Sequence, residues 1–181
     1  MKATGIVRKV DELGRVVIPK EIRKNFKIRE GDPLEIFTDR NGAIVFKKYA
    51  PMGDMLEVAA KFVEVLEKTS GLSACITDTE TVIAVSSKLK KEYLSKSISR
   101  YLYDAIHERK IISTIKDKSK SILYGEKATK YHAQVVVPII SDGDLIGSVI
   151  LFSTELNSEI SIADYKLAES AAGFLGKQME T

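Results

Sequence analysis

The chain has 181 residues, of which 28 are Lys or Arg and 25 are Asp or Glu, for a net charge of +3. With 44% hydrophobic and 29% charged residues it reads as a folded globular protein of one large or two small domains, which excludes a disordered or low-complexity chain. One Cys and two His exclude an intrachain disulfide or a Cys-built zinc cluster. The longest apolar runs, 135–140 and 145–152, are far too short to span a membrane, and the N-terminus has no signal-peptide core, so a cytoplasmic location is expected.

The charge is unevenly spread. Residues 1–50 hold 12 basic and 7 acidic side chains, a net of +5, and residues 51–181 hold 16 and 18, a net of −2. A basic module joined to a mildly acidic one points to a polyanionic partner for the first part. Charge alone, however, is more often what an ordinary solvated surface produces.

In chain order, residues 3–10 are predicted to form a strand, residues 11–14 a turn in which Gly14 takes a positive φ, and residues 15–18 a second short strand. Pro19 suits the first position of a helix, which would run to about residue 26 with Ile22 and Phe26 inward and Lys20, Arg23, Lys24 and Lys27 around the other side. Glu30-Gly31-Asp32-Pro33 breaks the chain, and strands at 34–38 and 43–48 are joined by Asp39-Arg40-Asn41-Gly42, a strong hairpin signal. A unit this small buries little surface and leaves strand edges unpaired. An obligate dimer through residues 1–50, with the strands of two chains interleaved, is therefore expected.

Residues 51–55 read as a linker and residues 56–181 as a second domain. A helical stripe covers 54–68 from a candidate N-cap at Asp54. Strands are predicted at 73–77 and 81–85, then one helix over 89–108, then short strands at 111–115 and 121–124 on either side of the lysine-rich loop 116–120. Residues 131–140 and 145–152 form a hairpin across Ser141-Asp142-Gly143-Asp144, and a last helix spans 161–179 with Ile162, Tyr165, Ala168, Ala172, Leu175 and Met179 on its apolar side. Helices flanking an antiparallel sheet make this domain α+β. The first and last of its helices could pair between subunits, which with the N-terminal contact would give a tetramer.

The candidate binding residues are the N-terminal cations Arg8, Lys9, Arg15, Lys20, Arg23 and Lys24. Arg8 and Arg15 flank the turn, Lys9 follows Arg8, and the other three sit on the following helix or its start. Doubled by a two-fold axis, such a set matches a duplex backbone, and Arg forks can also read guanine edges. Glu12 and Glu21 are interspersed and could pair with some of them. No catalytic grouping, phosphate loop or metal-ligand spacing is readable, so an enzyme is not expected. Cys75 reads as a small buried hydrophobe, and His107 and His132 lack nearby partners.

The stretch from Met1 to Arg23, with its core LGRVVIPKEIR, and the continuation Ile28-Arg29-Glu30-Gly31-Asp32-Pro33-Leu34-Glu35-Ile36 closely resemble the AbrB-type transition-state regulators of spore-forming bacteria. Over the full length, including Ala171-Ala172-Gly173-Phe174-Leu175, the chain resembles a sporulation regulator of that family that carries a C-terminal GAF domain. The resemblance implies an N-terminal all-β swapped-hairpin dimeric barrel with a short helix that binds double-stranded DNA, followed by an α+β GAF-like domain with an antiparallel sheet and flanking helices. It places family DNA contacts on Arg8, Arg15, Arg23 and the basic position Lys24, and it implies control of late, forespore-stage sporulation genes. Lys9 and Lys24 stand where relatives often carry Arg, which favours phosphate contacts there. No cofactor is expected, although GAF domains commonly hold a small ligand between the sheet and its covering helices. The same N-terminal fold also serves toxin-neutralising antitoxins, the alternative reading, against which the long folded C-terminal part argues.

Overall fold

The computed structural model describes residues 5–26, 28–48, 55–115 and 117–180, with the Lys48 side chain excepted. It divides into two compact units, Met1–Tyr49 and Ala50–Thr181. The expected linker, apart from Met55, and the expected N-cap Asp54, the basic residue Lys27 and the loop residue Lys116 lie outside the described residues.

In the first unit, helix α1 (Lys20–Asn25) starts directly after Pro19, whose φ of −57° is the value its ring imposes. Pro19 thus occupies the cap position, one residue earlier than expected. Strands β1 (Leu34–Thr38) and β2 (Ile44–Lys48) pair antiparallel in the register Leu34↔Lys48 to Thr38↔Ile44. Asp39 closes the hairpin by accepting from the Asn41 and Ala43 amides at 2.9 and 2.8 Å. The strands expected at 3–10 and 15–18 are absent from the described residues of the single chain. A strand is defined by a ladder, and these limbs have no ladder partner. For the same reason Phe26, expected inside, is 66% exposed. Among the described residues of this unit none is buried.

The second unit has a five-stranded antiparallel sheet in the order β4-β3-β7-β6-β5, made of β3 (Ser73–Thr77), β4 (Val82–Val85), β5 (Ile112–Ser113), β6 (Ala133–Ser141) and β7 (Asp144–Ser153). β6 and β7 turn over Asp142 (φ 47°) and Gly143 (φ 84°), two consecutive left-handed residues that match the twist of the hairpin. Alternate residues of the sheet feed two cores. Ala74, Ile76, Val135, Val137, Val149 and Leu151 face the helices α2 (Leu56–Ser70) and α5 (Ile162–Gln178). Cys75, Val136, Ile150 and Phe152 face a layer built from α3 (Lys90–Tyr93), α4 (Arg100–His107) and the loops beside them.

α5 begins at a capping box: Ser161 Oγ accepts from the Asp164 amide at 3.1 Å, and Asp164 accepts from the Ser161 amide at 2.9 Å. Its buried stripe is Ala168, Ala171, Ala172, Leu175 and Gly176, whereas Ile162, expected on that stripe, is 75% exposed in the first turn. The single helix expected over 89–108 is two. Leu94 is extended, Ser95 is left-handed at φ 62°, and the chain restarts at Ser99, whose hydroxyl accepts from the Leu102 amide. Serine side chains that bond to nearby backbone favour such breaks over a continuous helix. The expected strand at 121–124 reduces to one bridge, Ile98↔Leu123.

The small residues of α5 let it approach β6 closely. A Cβ on Gly176 would lie 2.1 Å from the Ile140 carbonyl oxygen, while one on Gly173 would meet nothing within 4 Å. Both glycines carry the same helix-propensity penalty relative to Ala of about 1 kcal/mol. Gly173→Ala should therefore raise stability by up to about 1 kcal/mol, and Gly176→Ala should lower it by about 1–3 kcal/mol through overpacking, as read by denaturant titration of the two variants side by side.

Candidate nucleic-acid interface

The interface is built on the turn at residues 11–14. The Asp11 amide donates to the Arg15 carbonyl at 3.0 Å and the Gly14 amide to the Asp11 carbonyl at 3.0 Å, with Gly14 at φ 74°. The Asp11 carboxylate then ties the turn from within. Its Oδ1 accepts from the Leu13 and Arg15 amides at 3.0 and 2.8 Å, and its Oδ2 accepts from Arg15 Nε at 2.8 Å. One carboxylate thus fixes both the backbone and the guanidinium of Arg15. Asp11 was expected only as a turn former; its role in aiming Arg15 depends on a four-residue separation that a tight turn closes.

All six expected binding residues are exposed. Arg15 alone among them pairs with a carboxylate, and that pair engages only its Nε. Arg8 donates to the Val7 carbonyl at 3.2 Å. Lys9, Lys20, Arg23 and Lys24 form no ion pair among the described residues, and Glu12 and Glu21 neutralise none of the set. Lys20, Arg23 and Lys24 share α1, with Arg23 and Lys24 in its last turn, where the helix dipole favours cations. The structure therefore gathers two groups: Arg8, Lys9 and Arg15 on the limbs of the turn, and Lys20, Arg23 and Lys24 on the helix.

The second unit holds a polar cluster that the sequence did not reveal. Tyr93 and Tyr131 are buried, and their hydroxyls lie 2.9 Å apart. The Tyr131 hydroxyl donates to Glu126, and Lys130 Nζ donates to Glu92 and Glu126. Burial pushes the Tyr131 phenol well above its ordinary value, and the hydrogen bond to Glu126 adds to that. Lys130 is pulled down by its partial burial but raised further by its bonds to Glu126 and Glu92, so it is held charged. Phe152 stacks on Tyr93 and meets Tyr131 edge-on, both at 5.4 Å. This aromatic group fills the layer between the sheet and α3–α4. Cys75 lies in the same core, fully buried, and burial pushes its thiol up into the inert form. His107 is stacked on Tyr103 at 3.8 Å and bonded to its carbonyl. His132 lines a shallow cleft of about 550 Å³ with Thr114, Asn157 and Glu159. Among the described residues no group of three or more His, Cys, Asp or Glu is placed to hold a metal, and no helix is long and apolar enough to cross a membrane.

The bonds from the Arg15 amide and guanidinium hold the Asp11 carboxyl below its ordinary value. The clamp's contribution is therefore full above the unfolded-state value and is lost as pH falls through the lower folded value. The protection factors of the Leu13 and Arg15 amides, the slowing of their exchange relative to an unstructured chain at the same pH, should be raised at neutral pH and should be lost once the solution is more acidic than the ordinary aspartate range. Asp11→Ala should remove that protection at every pH, as followed by NMR exchange.

A family model described as stage V sporulation protein T C-terminal, transcription factor, matches residues 54–180. A second, described as antidote-toxin recognition MazE, bacterial antitoxin, matches residues 7–54. The chain is 45% identical over 182 residues to stage V sporulation protein T of Bacillus subtilis (strain 168), covering 99% of each chain. Its first part is 63% identical over 51 residues to the transition state regulatory protein AbrB of the same organism, covering 28% of this chain and 52% of that one. The second unit has the fold of the GAF domain of an Acinetobacter phosphoenolpyruvate-protein phosphotransferase, with a TM-score of 0.56 at 13% identity over 69% of this chain and 81% of that one. An AbrB-like first unit, a GAF-like second unit and identity along nearly the whole length have one common account: the chain belongs to the stage V sporulation protein T family of transcription factors.

Proposed function

We propose that the chain is a sequence-specific, double-stranded DNA-binding regulator of late, forespore-stage sporulation genes that works in the cytoplasm by binding rather than catalysis. The observation that carries this reading is a cationic set left almost free of carboxylates among the described residues, displayed on a unit in which no described residue is buried. In this reading Arg8, Arg15 and Arg23 offer guanidinium forks to base edges, and Lys9, Lys20 and Lys24 supply point charges to phosphates.

The lack of a core also supports the assembly. Val7, Val10, Leu13, Val17 and Phe26 are each more than 60% exposed in the single chain, and Ile36, Phe37, Ile44 and Phe46 leave both faces of the β1–β2 hairpin uncovered. A second copy whose limbs pair with the limbs of the first would cover these side chains and satisfy the free strand edges together. Two-fold doubling would also place twelve cations on one body. In the second unit, Phe62 of α2 stacks on Phe174 of α5 at 5.3 Å, and Val58, Val65 and Phe174 remain between 40% and 56% exposed beside that stack. This seam suits pairing of dimers into a tetramer, and a GAF-like unit that holds two dimers could set the spacing of their DNA-binding surfaces. The match of residues 7–54 to an antitoxin family model keeps protein recognition as the second reading.

With about eight phosphate contacts per dimer, the log–log salt dependence of DNA binding should have a slope of about −7. Arg15→Ala and Arg23→Ala should each weaken binding by about 1–3 kcal/mol, measured by fluorescence anisotropy. Flat salt dependence, undiminished binding by Arg15→Ala, or a stoichiometric protein complex that retains no DNA would favour the second reading. Phe174→Glu should halve the mass of the full chain in light scattering, from tetramer to dimer, while leaving DNA binding by each dimer in place.

A further inference from the structure

The net charge of −2 on the GAF-like unit conceals a strong internal division. Residues 87–130 carry 12 basic and 5 acidic side chains, a net of +7, and the rest of that unit carries 4 and 13, a net of −9. This segment is not scattered over the fold. Apart from the edge strand β5 and Lys116, which lies outside the described residues, it forms the layer that covers one face of the sheet, opposite α2 and α5.

Its parts are stitched side by side. Ile98 bridges Leu123, the Tyr124 amide donates to the Ser97 carbonyl at 3.0 Å, the Ser99 amide donates to the Ile122 carbonyl at 2.8 Å, and Lys130 reaches across to Glu92. The stretch that holds α3 and Lys96 therefore lies against the stretch that runs from Lys118 to Lys127. Lys88, Lys90, Lys91, Lys96, Lys118 and Lys127 are exposed, and none has a carboxylate partner among the described residues. Tyr124 and Tyr101 stand among them, 80% and 67% exposed, and Lys120 lies 5.8 Å from the Tyr101 ring.

We infer that this lysine–tyrosine face of the GAF-like unit is a second DNA-contacting surface, one that grips the phosphate backbone without reading sequence. This rests on the DNA-binding reading of the first unit and extends it. The side-chain chemistry chooses the kind of contact. Ten of the twelve cations of the segment are lysines, which present no fork to a base edge, and its two arginines each hold a partner within the unit, Arg100 through Nε on Asp104 and Arg109 on the Gly143 carbonyl. What remains is a field of ammonium point charges and phenol hydroxyls, both of which serve phosphate oxygens. A duplex presents one negative charge for about every 1.7 Å of its axis, and a surface with a net of +7 complements it as no evenly charged protein surface would. Tethering to a module that already holds DNA raises the effective concentration of duplex at this face, so individually weak contacts contribute. The face also lies on the opposite side of the sheet from the α2–α5 seam, so pairing through that seam leaves it open.

The test uses the full chain and a mixed-sequence duplex of about 60 base pairs, long enough for several helical turns. A quadruple variant with Gln at Lys90, Lys91, Lys96 and Lys127 should bind more weakly. Its salt slope should be shallower by about 0.9 for each phosphate that the variant no longer neutralises. The chain has no tryptophan, so Tyr124→Trp places a single reporter on the face, and its emission should be quenched as duplex is added. A quadruple variant with the parent's slope, or an unquenched Tyr124→Trp reporter on a chain that binds the duplex, overturns the inference and leaves the face to an acidic protein. Failure of the underlying reading looks different: Arg15→Ala would then bind as the parent does, whatever the lysine variant shows.

Discussion

Among its described residues the N-terminal unit of this protein cannot bury any of its own side chains, and the properties of its cationic set depend on that constraint. About fifty residues with one short helix and one regular hairpin cannot enclose a core, and the unit has neither Cys nor His with which to build a disulfide or a zinc site. The apolar residues are present in number, but they are spread along limbs that need a second set of limbs to form a ladder. In the proposed dimer, folding of this unit and its association would be one event, and its stability would be a function of protomer concentration. In that reading the cation set is assembled only when the unit is doubled. That is suited to a regulator that meets a duplex with its own two-fold repeat of grooves and phosphates.

Within that constraint, local chemistry fixes what it can. Asp11 uses both carboxylate oxygens on Arg15, one for the amide and one for the guanidinium, so the turn and the aim of the side chain are set together. Asp39 performs the backbone half of the same task in the second hairpin. These are short-range devices that a fifty-residue unit can carry before it has a core. The GAF-like unit works in the opposite way. It has two complete cores on the two faces of one sheet, and its polar cluster of Tyr93, Tyr131, Glu126 and Lys130 joins residues up to 38 positions apart.

This difference also explains what could be read in the sequence. The β6–β7 hairpin is legible because two long apolar runs bracket Asp142-Gly143, a pair that tolerates left-handed backbone. α5 is legible from the helical spacing of Tyr165, Ala168, Ala172 and Leu175, whereas its Ser161–Asp164 capping box emerges only in the structure. The break between α3 and α4 is not, because Leu94, Ile98 and Leu102 keep a helical spacing across it while the serines at 95, 97 and 99 redirect the backbone. The limbs at 5–10 and 15–18 have strand composition, yet composition cannot supply the partner that turns an extended segment into a strand. The six N-terminal cations are legible as a group. That Arg15 is paired while the other five have no carboxylate partner among the described residues is not, since it depends on which of Asp11, Glu12 and Glu21 the turn brings within reach.

The same limitation hid the charge division of the second unit. Its net of −2 suggests a bland surface, and only the three-layer arrangement shows that the cations belong to one layer and the carboxylates largely to the rest. The alternation of β3, β6 and β7 makes this division rigid. Ile76 faces one layer and Cys75 the other, as Val137 and Val136 do on β6, so neither layer can slip without displacing residues of its opposite number. Gly176 and Gly147 tighten this further, since each sits where a carbonyl oxygen approaches too closely for any Cβ. A unit so constrained does not blend its two surfaces. It holds an apolar seam on one side and a basic face on the other at a fixed separation, the arrangement that the proposed assembly through the seam and contact with a polyanion at the face both require.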